Sequence, residues 1–304
     1  MSQPSNPSFP GAAAVAGGDD AAAAGHVRLP VRAWRDGRLV VVDDCVAEET
    51  PVALVYNGEP HVVMMATPAD LEDFALGFSC SEEVIGDAGE LQSLDVFRHD
   101  NAGAASYEIR MRIPPQRHAA LLGRRRNLQG RTGCGLCGAE TIADAIRSPR
   151  RVGAGVPVSS AALRRAQDEL RRRQPLNALT GATHAAAWAA PDGALQLVRE
   201  DVGRHNALDK LIGALLREGR DTARGFALVT SRASYEMALK AAMAGIPLLA
   251  AISAPTAYAI RVAGEAGLTL IGFARGDSFV IYACPARVLD AGPRGLGVDG
   301  TAAP

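Results

Sequence analysis

The chain has 304 residues, 48% of them hydrophobic, and a formal net charge of −1, so it can bury a full core and build more than one domain. It contains no apolar run of membrane-spanning length. The first 25 residues carry no Lys or Arg, which excludes the basic start of a secretory signal; a soluble, cytoplasmic protein is expected.

Residues 1–26, rich in Ala, Gly, Pro and Ser, read as a disordered tail, and residues 291–304 as a second one. From Val27 to Met65 apolar and polar residues alternate as in paired strands. Asp36-Gly37 and Asn57-Gly58 supply hairpin turns, the second between PVALVY and HVVMM. Thr67 is expected to cap a helix with Pro68 at its first position and Leu71, Phe74, Ala75 and Phe78 along one face. A further strand pair is expected near 95–99 and 105–113. Hairpins crossed by one helix make a small α+β domain over 27–115.

Residues 116–173 read as a connector. They hold a helical piece, the run Arg124-Arg125-Arg126, a Gly-rich stretch with two cysteines, and a helix over 139–147. Ser159 or Ser160 then caps a helix running to Arg173. From Thr180 the pattern changes again. HAAAWAA, the turn Pro191-Asp192-Gly193 and LQLVRE form a hairpin. Helices over 206–218, 234–244 and 256–266 then alternate with the strands FALVT, PLLAAIS and LTLIGFA, and FVIYA closes the series. Such alternation predicts an α/β domain over 174–290 with a mostly parallel sheet covered on both faces. A hairpin followed by three α–β units is the element order of the cytidine deaminase-like fold, a label that rests on analogy.

Between Arg110 and Arg173, fifteen arginines face only Glu140, Asp144, Asp168 and Glu169. This basic stretch reads either as solvated helix faces or as a surface for a polyanionic cofactor or acidic partner. It brackets Cys134-Gly-Leu-Cys137, a lone C-x-x-C with Arg131 upstream. An arginine, a second thiol and a following helix N-terminus all favour the thiolate. With five scattered cysteines there is no disulfide framework, so the pair is redox-active, metal-binding or catalytic. A structural zinc site needs four ligands, and with no second C-x-x-C or His pair it would have to recruit isolated residues such as His118 or Cys284. A thioredoxin-type dithiol belongs at a strand-to-helix junction, where this pair does not lie. Zinc deaminase chemistry needs His-x-Glu with Pro-Cys-x-x-Cys, which this chain lacks. Cys45, Cys80 and Cys284 read as inert thiols in apolar surroundings.

The densest polar cluster is Arg199-Glu200-Asp201-Val202-Gly203-Arg204-His205-Asn206, with Asp209 and Lys210 following. It falls at the carboxyl end of a strand and the start of a helix, where open α/β sheets bind ligands. Thr230-Ser231-Arg232 offers hydroxyls and a guanidinium at a second helix start. Phe273-Ala274-Arg275-Gly276-Asp277-Ser278 could stack a base, grip an anion and meet a guanine edge. Thr183-His184 opens the hairpin strand. Together these loops suggest a pocket for a phosphorylated, nucleotide-like ligand.

The stretches RTGCGLCGAE, LTGATHAAAW, REDVGRHNALDK, VTSRASYEMALKAAMAGIPLL and LTLIGFARG, in that order, resemble the FdhD family of formate dehydrogenase accessory sulfurtransferases. PVALVYNGEPHVVMMATPADLEDFALGFSCSE resembles that family's N-terminal domain, although Cys80 and Glu83 stand where an apolar residue and a glycine are expected. The resemblance runs from about Val27 to Leu289. It implies a homodimer with a cytidine deaminase-type domain. It implies that sulfur is accepted from a cysteine desulfurase as a persulfide on Cys134, with Cys137 as second cysteine of the motif. The sulfur would then pass to the bis-molybdopterin guanine dinucleotide form of molybdenum cofactor, destined for formate dehydrogenase, with guanine nucleotide as a mimic. The family's cofactor-binding stretch matches Phe273 to Ser278. The resemblance implies neither a resident metal nor a nucleic-acid or membrane partner. A non-catalytic chaperone that only holds the cofactor is the alternative function.

Overall fold

A computed structural model describes residues 25–101, 104–126 and 147–289. Strands β1 (His26–Arg35) and β2 (Arg38–Ala47) form a two-stranded antiparallel ribbon. Its turn is Asp36-Gly37, both at positive φ, the type I′ geometry that matches strand twist. Asn57-Gly58 does the same between β3 (Thr50–Tyr56) and β4 (Glu59–Ala66). A third hairpin, β5 (Ser93–Asn101) with β6 (Ala104–Arg112), pairs through β6 in parallel with β3, giving a four-stranded sheet of order β4-β3-β6-β5.

Helix α1 (Leu71–Ser81) starts later than its sequence suggests. Asp70, in the left-handed region at φ 52°, occupies the N-cap position. Thr67 is engaged elsewhere: its N–H donates to Asp201 Oδ2 at 3.0 Å, its Oγ1 accepts from the Val202 N–H at 3.1 Å, and its C=O accepts from Lys210 Nζ at 3.0 Å. The residue read as a local helix cap is a long-range contact instead. Leu71, Phe74, Ala75 and Phe78 are buried as expected.

Helix α2 (Pro115–Arg126) ends the first half of the described chain. After residue 146 come α3 (Ser160–Arg172), capped by Ser159 Oγ accepting from the Ala162 N–H, and the short α4 (Pro175–Thr180). The order then follows the sequence reading element by element. It runs β7 (His184–Ala189), β8 (Leu195–Asp201), α5 (Arg204–Arg217), β9 (Phe226–Val229), α6 (Tyr235–Met243), β10 (Leu248–Ala251), α7 (Ala257–Ala266), β11 (Thr269–Arg275) and β12 (Ser278–Ala283). These strands make one sheet of order β8-β7-β9-β10-β11-β12, in which β9, β10 and β11 are parallel.

The period of two assigns the faces. Ala186, Trp188, Ala227, Val229, Leu249 and Ala251 belong to the core shared with α5, α6 and α7, whereas Ala187, Phe226, Leu228, Leu248 and Ala250 pack with Leu163, Ala166 and Leu170 of α3. The first of these cores also takes in Val52, Leu54, Tyr56, Phe74 and Ile109 of the four-stranded unit. The two units meet where α1 crosses α5 through paired glycines. A Cβ on Gly77 would fall 1.8 Å from the Asp209 carbonyl oxygen, and one on Gly213 would fall 1.8 Å from that of Asp73. Only glycine allows this backbone approach. Among the described residues no helix is long and apolar enough to cross a membrane.

Candidate functional site

Every loop that the sequence singles out in the C-terminal half lies on one edge of the six-stranded sheet. Because β7 runs antiparallel to β9, His184 opens β7 at the edge where β9 and β10 end, and β8 brings Asp201 opposite His184. The loops are braced against one another. The Ala185 N–H donates to Thr230 Oγ1 at 2.9 Å, the Thr256 N–H to the Ala233 carbonyl at 3.0 Å, and the Phe273 N–H to the Ser253 carbonyl at 3.2 Å. The edge is therefore preformed along its length.

At its far end the β11–β12 hairpin presents Phe273, 43% exposed and at φ 51°. A bulky residue held in the left-handed region stores strain and keeps an aromatic ring in the open. Gly276, at φ 56°, makes the turn. Arg275 donates through Nε to the Ile252 carbonyl at 2.9 Å, Ser278 Oγ bonds to the Arg275 carbonyl at 3.2 Å, and Asp277 is ion-paired with Arg164. Ala274 points into the core. In the β9–α6 loop Ser231 is buried, its hydroxyl donating to the Arg232 carbonyl at 3.0 Å, and Arg232 is exposed.

The polar cluster at 199–210 divides into two sets. Asp201 is fully buried. Its carboxylate pairs with the equally buried Lys210 Nζ at 2.7 Å and accepts from the Gly203 N–H at 2.8 Å and from Asn206 Nδ2 at 3.0 Å, besides the Thr67 N–H. Asn206 also donates to the Met65 carbonyl at 2.8 Å. Arg199 and Arg217 grip Asp73 of α1 at 2.8 and 2.9 Å, and Glu200 accepts the Leu176 and Asn177 N–H groups at the start of α4. Asp201 and Asn206, which the sequence suggests as ligand contacts, are buried beneath internal partners. Both are occupied in holding the N-terminal unit, and Gly203, the N-cap of α5, is fixed by Asp201.

The second set, His184, Arg204 and His205, remains partly exposed at the edge. His184 is held below the ordinary imidazole range, first by burial and then by the positive charges of Arg204 and His205. His205 Nε2 lies 2.7 Å from Glu236 Oε2 in the first turn of α6. The sequence contains no local signal for Glu236, which lies a full strand and helix away. Two helix N-termini and the Arg204 guanidinium meet here, with two imidazoles beside them, an arrangement that favours an anion.

Cys134 and Cys137, and the helix expected over 139–147, lie outside the described residues apart from Arg147. That residue stands at the same edge: its N–H donates to the hydroxyl of Tyr235, the first residue of α6, at 2.9 Å. Cys80 is buried, and burial pushes its thiol up. Cys45 and Cys284 are partly buried free thiols. The described residues contain no group of three or more His, Cys, Asp or Glu side chains that could hold a metal.

The model of the FdhD/NarQ family matches residues 47–289. A sulfur carrier protein FdhD of Xanthomonas euvesicatoria pv. vesicatoria is 57% identical over 268 residues, 88% of this chain and 94% of that protein. One from Cupriavidus necator is 50% identical over 263 residues, 86% of this chain and 90% of that protein. A crystal structure from Desulfotalea psychrophila, described as that of a formate dehydrogenase accessory protein, superposes with a TM-score of 0.66 at 24% identity. It covers 87% of this chain and 99% of its own.

Proposed function

This chain belongs to the FdhD/NarQ family, and from that premise we propose that it is a sulfur carrier, a sulfurtransferase of molybdenum cofactor maturation that serves formate dehydrogenase. The Cys134 thiolate attacks the outer sulfur of a cysteine desulfurase persulfide. One S–S bond forms, the donor's S–S bond breaks, and the donor cysteine leaves as thiolate, with no net oxidation. Cys137 then attacks the Cys134 sulfur, releasing the outer sulfur as sulfide to the acceptor and leaving a Cys134–Cys137 disulfide. A dithiol reductant resets the pair.

The acceptor, written here as substrate, is the bis-molybdopterin guanine dinucleotide form of molybdenum cofactor. What carries this reading is the partly exposed Arg204 guanidinium at the start of α5, with the imidazoles of His184 and His205 beside it. It suits a pyrophosphate, and Arg232 adds a further guanidinium. Phe273 offers a stacking face for guanine, and the turn at Arg275, Gly276, Asp277 and Ser278 borders it. Ser231 and Ala274 act through loop shape, and Asp201, Gly203 and Asn206 through support of Arg204 and His205.

The strand order β8-β7-β9-β10-β11 supports reading 174–290 as a cytidine deaminase-like domain. The unit at 27–115 and the connector at 116–173 complete the organisation, with tails at 1–26 and 291–304. The protein works as a cytoplasmic homodimer between its sulfur donor and formate dehydrogenase. The test is peptide mass spectrometry after incubation with a cysteine desulfurase and cysteine. A reducible gain of one sulfur on Cys134, absent in Cys134→Ala, is expected. Cofactor binding without any gain would favour the chaperone instead.

A further inference from the structure

The β1–β2 ribbon carries apolar side chains on both faces, Val31, Val40 and Val42 on one and Trp34, Leu39 and Val41 on the other. No residue from His26 to Ala47 is buried or belongs to either core. Trp34, Leu39 and Val41 are 69%, 61% and 71% exposed. The ribbon's main contact with the rest of the molecule is that of β2 with the short α4. Two strands alone are marginal in water, and a sheet gains stability of its own at three strands or more with an apolar face. The ribbon is in that sense an unfinished sheet.

Its two edges differ. A two-residue turn closes on a hydrogen-bonded pair, here Arg35 with Arg38, and bonded and non-bonded pairs alternate from there. On β1 the backbone groups of Arg28, Pro30, Arg32 and Trp34 therefore point away from the ribbon, and on β2 those of Leu39, Val41, Asp43 and Cys45 do. Pro30 has no N–H to donate, and the exposed Arg28 and Arg32 flank it, so the β1 edge is blunted. The β2 edge carries the run Leu39-Val40-Val41-Val42 without proline. Among the described residues no backbone hydrogen bond other than those to β1 occupies it. The Cys45 N–H, which donates to Asp44 Oδ1 at 3.0 Å, ends the open stretch.

We propose that the β2 edge pairs with the β2 edge of a second copy of this chain, antiparallel about a two-fold axis at Val41. Val41 then exchanges its N–H and C=O with Val41 of the second copy, and Leu39 does so with Asp43 of the second copy. Charge selects this register. The strand is basic at Arg38 and acidic at Asp44, and an antiparallel copy centred on Val41 sets each Arg38 opposite an Asp44. Centring on Val40 or Val42 would set Arg38 opposite Val42 or Val46 instead. Neither Arg38 nor Asp44 has an ion-pair partner among the described residues. The resulting four strands gather Val31, Ala33, Val40 and Val42 of both copies on one face. This rests on the reading of the protein as a homodimer and names the surface that makes it.

Sedimentation equilibrium of the full chain under reducing conditions tests this on wild type, Val41→Pro, Arg38→Asp, Asp44→Arg and the Arg38→Asp/Asp44→Arg double variant. The wild type should be a dimer. Val41→Pro removes an N–H that points away from β1, so the ribbon keeps its own bonds while the dimer dissociation constant rises about a hundredfold. Each single charge reversal sets like charges opposite each other twice per dimer and should raise the constant about tenfold. The double variant restores opposite charges and should return to within about threefold of wild type. Unchanged constants in Val41→Pro and in both reversals would overturn the proposal and leave the homodimer to another surface. A double variant no tighter than its singles would overturn it as well, since the register would then not be the one set by charge. A wild type that is monomeric throughout would refute the homodimer reading, and the strand pairing with it.

Discussion

His205 Nε2 and Glu236 Oε2 lie 2.7 Å apart and join the first turn of α5 to the first turn of α6. A carboxylate at that distance attracts the imidazole edge and limits the positions the ring can take. The contact ties two neighbouring helix starts of the candidate binding edge, so Glu236 braces His205 there.

Replacing Glu236 with Ala should therefore weaken binding of guanosine diphosphate, used as a probe, by about fivefold, the worth of one partly exposed ion-pair contact. Isothermal titration calorimetry on the folded variant reads this directly. Unchanged affinity would mean that His205 is oriented by something else.

Gly213→Ala places a methyl group on the backbone of Asp73, and Gly77→Ala one on that of Asp209. Because the obstacle is main chain on a neighbouring helix, the helices must separate. Each variant should lose roughly 3 kcal/mol of stability or more, at the upper end of overpacking costs. Urea unfolding checks it; a loss within error of zero would show that α1 and α5 can part without penalty.

Lys210 and Asp201 form a wholly buried pair. Lys210→Met leaves the Asp201 carboxylate buried without its cation and should cost roughly 3–5 kcal/mol. Adding Asp201→Asn removes the stranded charge and should restore a good part of that loss. A double variant as unstable as the sum of its singles would deny the coupling.

Glu82, at the C-terminus of α1, pairs with Lys240 at 2.7 Å and with Arg147 at 3.0 Å and sets an acid limit on stability. Its folded carboxyl lies at about 2 against 4.5 for the free group, so the unfolded chain takes up the proton first. The stabilisation is complete above about 4.5 and is lost as pH falls toward 2. Glu82→Gln, which cannot titrate, should flatten that limb of a thermal-midpoint profile. An unaltered limb in the variant would assign the acid sensitivity to other carboxylates.

Much of this protein was legible from short-range pattern. Asp36-Gly37 and Asn57-Gly58 announced their hairpins because turn geometry depends on two residues. Alternating apolar runs and helices announced the covered parallel sheet because faces repeat with the period of the strand. The ordered motifs around Cys134, His205 and Arg275 marked the family. Tertiary packing decided the rest. Asp201 and Asn206 look no different in sequence from Arg204 and His205, yet the first two are sealed beneath Thr67 and Met65. The latter two stay partly exposed, with no such cover among the described residues. Whether a charge meets a ligand or an internal partner depends on which distant segment covers it, and no local spacing encodes that; the contacts of Glu236 and Glu82 became visible only once the helices were in place.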